Sequence, residues 1–219
     1  MSARRSPGRV VSWIGTAFCA WLLLLGPPPG AAGEPRIAVL GDSLTAGFGL
    51  PQEDAFPARL EAALRAEGHA WRVIDAGVSG DTSAGGLARL DWVLADEPEV
   101  VIVELGANDG LRGLPTDQME GNLDAILTRI LESGPTVMLA GMRAPANFGP
   151  DYEAAFSAVY ERLAAKHRVP FYPFFLEGVA MELDLNQSDG IHPNADGVAE
   201  IVRRIVPHVV AVIAGHKGG

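Results

Sequence analysis

From Glu34 onward, short apolar runs alternate with longer amphipathic segments along the sequence. The short runs are apolar along their whole length, which is typical of parallel strands that are covered on both faces. We therefore predict an α/β fold with a five-stranded parallel sheet, for which 2-1-3-4-5 is one doubly wound strand order. The predicted strands span Arg36–Leu40, Trp71–Asp75, Val100–Val103, Thr136–Ala140 and Phe171–Phe174.

The longer segments carry apolar residues at helical spacing. In the third of them, for example, Leu123, Ile126 and Ile130 fall on one side. We expect Pro207 to kink or interrupt the last helix, because proline has no N–H and its ring clashes with the preceding turn. The predicted helices span Phe56–Glu67, Ser83–Leu94, Met119–Glu132, Tyr152–His167 and Asn194–Ala214.

Polar residues suited to chemistry follow four of the five predicted strands. In doubly wound sheets ligands bind beyond the carboxyl ends of the strands, so these residues belong to one edge. We therefore predict the functional site there. Gly41-Asp42-Ser43-Leu44 follows the first strand, Gly80 the second, Asn108 the third, and Asp189 with His192 the fifth.

Ser43 is the candidate nucleophile. A serine hydroxyl is a poor nucleophile unless a base removes its proton, and His192 is the candidate for that base. Asp189, three residues earlier, is close enough to hold Nδ1 of the histidine and set its tautomer. A turn serine and a histidine near a helix start are the structural alternatives. The motif is not the Gly-x-Ser-x-Gly elbow of α/β-hydrolases, because Leu44 and Thr45 follow the serine.

Three donors from three loops are candidates for an oxyanion hole, namely the backbone N–H of Ser43, the backbone N–H of Gly80 and the side chain of Asn108. The second loop also fits a turn before a helix that Asp81 or Thr82 caps. The asparagine also fits a turn position that needs a positive φ.

A metal site built from Asp42, Asp189 and His192 is a further alternative. We expect no metal and no other cofactor, because no additional histidine lies at a supporting spacing. The other histidines fall in or beside predicted helices: His69, His167, His208 and His216.

The N-terminal segment has the order of a secretory signal. Three arginines among the first nine residues precede the uncharged apolar run Val10–Gly26, and small residues follow up to Gly33. We predict a Sec-type signal peptide over residues 1–33, cleaved near Ala32, and a hydrolase domain over residues 34–219. A retained membrane anchor is the alternative. Cys19, the only cysteine, lies in this segment, so the mature chain has no disulfide.

The predicted signal places the mature protein in the periplasm or outside the cell, without a stable membrane anchor. The formal net charge is −10, and loss of the three arginines makes it more negative. Such a charge argues against nucleic acid as a partner, because phosphate binding needs a basic surface. We expect a monomer whose partner is a small acyl ester or thioester.

The four elements resemble the four blocks of the SGNH (GDSL) hydrolase family. The matching positions are Gly41-Asp42-Ser43-Leu44, Gly80, Gly106-Ala107-Asn108-Asp109 and Asp189-Gly190-Ile191-His192-Pro193. Segments 79–83, 105–112 and 145–149 are similar to its branch of bacterial periplasmic acyl-CoA thioesterases, lysophospholipases and arylesterases. The resemblance implies a flavodoxin-like three-layer αβα sandwich, no metal, and the nucleophile, oxyanion and triad roles described above.

The expected activity is a serine esterase that hydrolyses acyl esters and thioesters through an acyl-Ser43 intermediate. A carbohydrate or peptidoglycan O-acetyl esterase is one alternative, and a non-catalytic periplasmic lipid-binding protein is another. We expect an apolar groove for the acyl chain, although each of its residues also suits the core. The candidate groove residues are Phe48, Leu111, Leu114, Met142, Phe148 and Leu176.

Overall fold

The computed structural model describes residues 1–2 and 33–216 of the chain. The predicted signal peptide therefore lies outside the described residues, apart from Met1, Ser2 and Gly33. The residues from Gly33 onward form one compact unit. Within the described part of the chain, no helix combines the length and the apolar character that crossing a bilayer requires.

A single five-stranded parallel sheet forms the centre of this unit, in the order β2-β1-β3-β4-β5. The sequence prediction of the strand order is confirmed. In the register, Ile37 of the first strand lies opposite Val73 on one side and Val100 on the other. The strands are β1 (Arg36–Gly41), β2 (Arg72–Gly77), β3 (Val100–Glu104), β4 (Thr136–Ala140) and β5 (Phe171–Tyr172).

Helices cover both faces of the sheet, so the fold is the predicted αβα sandwich. Helices α2 and α8 pack together on one face, and α6 packs between α3 and α7 on the other. The helices are α1 (Ser43–Ala46), α2 (Phe56–Ala66), α3 (Ser83–Ala88), α4 (Leu90–Leu94), α5 (Ala107–Leu111), α6 (Thr116–Ser133), α7 (Pro150–His167) and α8 (Ala195–His216).

The core explains why the central strands are apolar without interruption. The side chains of Ile37, Leu40 and Ile102 are fully buried, as is almost every residue of β1, β3 and β4. Burying one such side chain contributes about 1.5–3 kcal/mol, so these strands carry much of the stability. The sheet edge where the site lies is therefore built on a rigid base.

The predicted helix Ser83–Leu94 is wrong as a single element. The chain leaves helical geometry at Arg89, which separates α3 from α4. The guanidinium of Arg89 is held by the carboxylate of Asp81 at 2.5 Å and by the carbonyl of Gly41 at 2.9 Å. Gly41 lies 48 positions away in the sequence, so the helical periodicity of the segment does not reveal this contact.

Of the two effects expected of Pro207, a kink or an interruption, the interruption does not occur. Helix α8 runs through it to His216. The proline lies on the exposed side, while Ile205, Val206 and Val209 on either side of it are buried. A proline in a helix interior costs about 3 kcal/mol, and burial of this long apolar face offsets that cost. The last strand is also shorter than predicted and ends at Tyr172.

Candidate active site

Ser43 stands at the start of a helix and not in a loop. The predicted loop after β1 is the short helix α1, whose N-cap is Asp42. The Asp42 side chain accepts the N–H of Leu44 at 2.9 Å, which is the usual capping bond. A Cβ at Gly41 would collide with the side chain of Thr45, so only glycine allows this turn. The nucleophile candidate therefore projects from the carboxyl edge of the sheet on a capped helical turn.

His192 contacts both of the side chains that the prediction assigns to it. Its Nε2 lies 2.9 Å from Oγ of Ser43, and its Nδ1 lies 2.7 Å from Oδ2 of Asp189. A carboxylate at Nδ1 favours the tautomer that carries its proton there, which leaves Nε2 free to accept the serine proton. The geometry is that of a serine–histidine–aspartate triad.

Asp189 is held ionised by a local turn. Its Oδ1 accepts the backbone N–H of His192 at 3.0 Å and that of Ile191 at 2.9 Å. These two bonds and the imidazole of His192 lower the pKa of Asp189 to about 2. Gly190 adopts a φ of +71°, a left-handed conformation that favours glycine, and so closes the turn. The spacing of three residues between acid and base follows from this turn.

Gly80 and Asn108 follow β2 and β3, the two strands that pair with β1. Asn108 is in the short helix α5, and the positive φ that the sequence suggested for it falls on Gly106 instead. Its Nδ2 donates to Oδ2 of Asp42 at 3.0 Å and to the carbonyl of Asp81 at 2.9 Å. The asparagine thus joins the nucleophile loop to the loop of Gly80. For Nδ2 to donate to an oxyanion as well, one of its two N–H groups must be shared between the oxyanion and its present acceptor, or that acceptor must be displaced.

Two carboxyl groups lie buried beneath the nucleophile, and sequence reasoning assigned no role to the second. Asp42 and Glu104 are both completely buried. Burial raises the pKa of Asp42 to about 6, against the opposing effect of the bonds from Leu44 and Asn108. Burial, and then the charge of Asp42, raise the pKa of Glu104 well above its usual range. A charged residue directly after the apolar run of β3 was the signal that could have found it.

A cleft of about 700 Å³ opens beside Ser43 and His192. Three of the six predicted groove residues line it, namely Leu111, Met142 and Leu176. The other three do not line it. Phe48 stacks on the His192 ring with a centroid distance of 4.6 Å, Phe148 packs against Tyr152, and Leu114 is held through its carbonyl by the Tyr152 hydroxyl. Further lining residues are Ala144, Phe174, Ala180, Met181 and Ile191.

Gln187 connects the nucleophile side to the histidine side, and the sequence analysis missed it. Its side-chain amide donates to the carbonyl of Phe48 at 2.7 Å and to that of Pro193 at 3.0 Å. Its backbone N–H donates to the carbonyl of His192 at 2.8 Å. The first bond joins residues 139 positions apart, so no local pattern points to it.

Comparisons with known proteins identify the family of the chain. Residues 39–199 match the GDSL-like lipase/acylhydrolase family. The chain is 42% identical to esterase TesA of Pseudomonas aeruginosa over 86% of its length and 93% of the relative. It is 43% identical to thioesterase 1/protease 1/lysophospholipase L1 of Escherichia coli over 76% of its length and 79% of that protein. The crystal structure of AlinE4, an SGNH-hydrolase family esterase, superposes with a TM-score of 0.70 at 45% identity, covering 81% of this chain and 96% of AlinE4.

Proposed function

Since the chain belongs to the GDSL-like lipase/acylhydrolase family and is an ester-hydrolysing serine hydrolase, we propose that Ser43, His192 and Asp189 carry out the reaction. The observation that supports this assignment is the continuous chain of contacts from Asp189 through both imidazole nitrogens to the Ser43 hydroxyl. The substrates are acyl esters and thioesters of small molecules. The named activities of the relatives, esterase, arylesterase and thioesterase/lysophospholipase, support this range.

Acylation is the first step. Nε2 of His192 removes the hydroxyl proton of Ser43 as Oγ attacks the acyl carbonyl carbon. The carbonyl π electrons move to oxygen, and the resulting oxyanion accepts hydrogen bonds from the N–H groups of Ser43 and Gly80 and from Nδ2 of Asn108. The imidazolium then returns its proton to the leaving alkoxide, phenoxide or thiolate as the bond to the acyl carbon breaks. Asp189 stabilises the imidazolium and keeps its orientation.

Deacylation repeats the same steps with water. His192 takes a proton from a water molecule, whose oxygen attacks the acyl-Ser43 carbonyl carbon. The second tetrahedral intermediate collapses, the serine oxygen recovers the proton, and the carboxylic acid leaves. The apolar side of the cleft, with Leu111, Met142 and Leu176, is where we place the acyl chain. Apolar burial of each further methylene is worth about 0.8 kcal/mol when the chain fits.

Ser43→Ala tests the assignment. We expect kcat for 4-nitrophenyl butyrate to fall by at least about a thousandfold, because no other group replaces the nucleophile. Ser157→Ala, at a serine of α7 that does not line the cleft, is the matched control and should keep wild-type activity. Comparable rates for Ser43→Ala and wild type, with both shown to be folded by circular dichroism, would remove Ser43 from the mechanism. If wild-type kcat/KM does not change with acyl length from acetyl to octanoyl, the assignment of the cleft as the binding site of the acyl chain is wrong.

We also propose that the enzyme is exported and that residues 1–33 are removed. The arginines, the apolar run and the small residues of the N-terminal segment support this. The mature enzyme acts as a monomer in the periplasm or outside the cell. The intact mass of the exported protein checks the cleavage site, and a mass that includes the first 33 residues contradicts it.

A further inference from the structure

Arg89, the residue at which α3 ends and α4 begins, has a largely buried side chain with two fixed partners. Only 16% of that side chain is exposed. Its Nε donates to Oδ2 of Asp81 at 2.5 Å, and its Nη2 donates to the carbonyl oxygen of Gly41 at 2.9 Å. Asp81 directly follows Gly80, and Gly41 lies two residues before Ser43. One guanidinium therefore joins the loop after β2 to the segment that leads into the nucleophile helix.

Asn108 joins the same two segments through a second pair of hydrogen bonds. Its Nδ2 donates to the side chain of Asp42 and to the backbone carbonyl of Asp81. Arg89 binds the complementary groups, which are the backbone carbonyl of Gly41 and the side chain of Asp81. Since the candidate oxyanion donors are Asn108 itself and the residues next to these acceptors, the two side chains together connect all parts of the predicted oxyanion hole.

The loop that carries Gly80 needs such contacts, because its own backbone is weakly constrained. Gly80 has a φ of +87°, and glycine has the greatest backbone freedom of any residue. A Cβ placed there would meet only the guanidinium of Arg112, 4.0 Å away, so no close packing surrounds the residue. Arg112 also donates to the Gly80 carbonyl at 2.9 Å, but this bond is exposed to solvent. The pair of Arg89 and Asp81 is better shielded, and ion pairs away from water are screened less.

Resting on the proposed serine-hydrolase function, we infer that Arg89 is a positioning residue of the oxyanion hole. Its guanidinium holds the Gly80 loop against the start of α1, so that the backbone N–H groups of Gly80 and Ser43 point to one oxygen. Donors stabilise a developing oxyanion best when their directions are fixed before the reaction. Arg89 itself does not line the cleft, so it acts on the reaction only through the residues that it holds.

Arg89→Met tests the inference, because it keeps an apolar stem and removes both hydrogen bonds. We expect kcat for 4-nitrophenyl butyrate to fall by about thirtyfold, with KM within about twofold of wild type, since the oxyanion forms only after binding. The matched control is Arg129→Met. Arg129 lies on α6 and also pairs with a carboxylate, that of Asp91, but it does not line the cleft, and its variant should keep wild-type kcat. A wild-type kcat in folded Arg89→Met overturns the inference.

A thionoester separates the position of the oxyanion hole from a general loss of structure. In the thiono analogue of 4-nitrophenyl butyrate, sulfur replaces the carbonyl oxygen and accepts hydrogen bonds only weakly. The ratio of kcat/KM for the oxygen ester to that for the thionoester therefore reports on the donors of the hole. We expect Arg89→Met to lower this ratio by about tenfold and Arg129→Met to leave it unchanged. If Arg89→Met slows both substrates by the same factor, Arg89 has a structural role only and the inference is wrong.

Arg89→Lys tests whether the forked shape of the guanidinium matters. Lysine keeps the charge but is a point donor, which does not hold two acceptors in the fixed geometry of the fork. We expect kcat about tenfold below wild type and a ratio of the two esters lowered by about threefold. Wild-type values in Arg89→Lys contradict the link between the two segments. If Arg89→Met does not fold, the ratio in Arg89→Lys decides the inference, and an unchanged ratio overturns it.

Ser43→Ala, measured in parallel, distinguishes failure of this inference from failure of the proposed function. Loss of activity in Ser43→Ala together with a wild-type rate and ratio in Arg89→Met overturns the role of Arg89 and leaves the Ser43 mechanism intact. Wild-type activity in folded Ser43→Ala overturns the proposed function itself and, with it, the oxyanion hole that Arg89 would position.

Discussion

The two sides of the triad are built in opposite ways. On the nucleophile side, Asp42 is completely buried and burial raises its pKa to about 6. On the histidine side, the Asp189 side chain is 39% exposed, and hydrogen bonds lower its pKa to about 2. The two aspartates of this site therefore have pKa values shifted in opposite directions from the ordinary value. For Asp42 the loss of water on burial determines the pKa, whereas for Asp189 the hydrogen bonds to its charged form determine it.

The two sides differ in how far they contribute to stability and to the reaction. The nucleophile side is continuous with the core through β1 and β3, so changes there alter stability as well as activity. The histidine side is an exposed loop held by its own short-range bonds and by Gln187, so changes there alter activity with little cost in stability.

The largest expected effect concerns the histidine side. His192→Ala removes the base, and we expect kcat to fall by about a thousandfold or more, equivalent to at least about 4 kcal/mol of transition-state stabilisation. The melting temperature should stay within a few degrees of wild type, because the side chain contributes little to the core. His69→Ala is the control and keeps its activity. A large drop in melting temperature for His192→Ala would contradict the separation of the two sides.

On the buried side, the raised pKa of Asp42 makes the stability of the protein depend on pH. Because the folded-state pKa of Asp42 is raised, the folded protein keeps a proton between about pH 4 and pH 6 that the unfolded chain has already released. Through this group, the free energy of unfolding falls by about 3 kcal/mol as pH rises across that range. Asp42→Asn should lack this component, which urea unfolding at pH 4, 5, 6 and 7 will measure as a difference in slope against wild type.

Asp189→Asn is the matched control on the exposed side. Its folded-state pKa is lowered, so its contribution to stability is present above the ordinary pKa and is lost only as pH falls toward 2. Between pH 4 and pH 6 the slope for Asp189→Asn should equal that of wild type. The comparison fails if Asp42→Asn and wild type show the same slope.

The smallest effect is expected at the connection between the sides. Gln187→Leu removes both amide bonds, and we expect kcat to fall by about tenfold with little change in KM, because a displaced His192 slows proton transfer more than substrate binding. The unfolding free energy should fall by about 1 kcal/mol, which is typical of exposed hydrogen bonds. Gln52→Leu, outside the site, controls for loss of a surface glutamine. An unchanged kcat in Gln187→Leu would show that the position of His192 relative to Ser43 does not depend on the Gln187 side chain.

Much of the architecture could be predicted because local pattern and global fold agree. The uninterrupted apolar runs of β1, β3 and β4 have one stable use, as buried parallel strands, and glycine at 41 and 190 marks turns that other residues would disturb. The helix break at Arg89 and the continuity of α8 through Pro207 were missed. The contact of Arg89 with Gly41 and the packing of α8 against α2 join segments far apart in the sequence, which local periodicity does not record.

The order of strands and helices, the sheet edge at which the chemistry lies and the residue types at that edge could all be read from the amino-acid sequence. Apolar periodicity and chain connectivity suffice for these, because each follows from burial and from the direction of parallel strands. The folded chain was needed to establish the distances of 2.9 and 2.7 Å around His192, the two hydrogen bonds donated by Asn108 Nδ2 and the hydrogen bonds of Gln187 that bridge the two sides. It also decided the opposite pKa shifts of Asp42 and Asp189. The raised pKa of Asp42 depends on the exclusion of water by distant segments that pack around it, whereas the lowered pKa of Asp189 depends on the donors of its own turn.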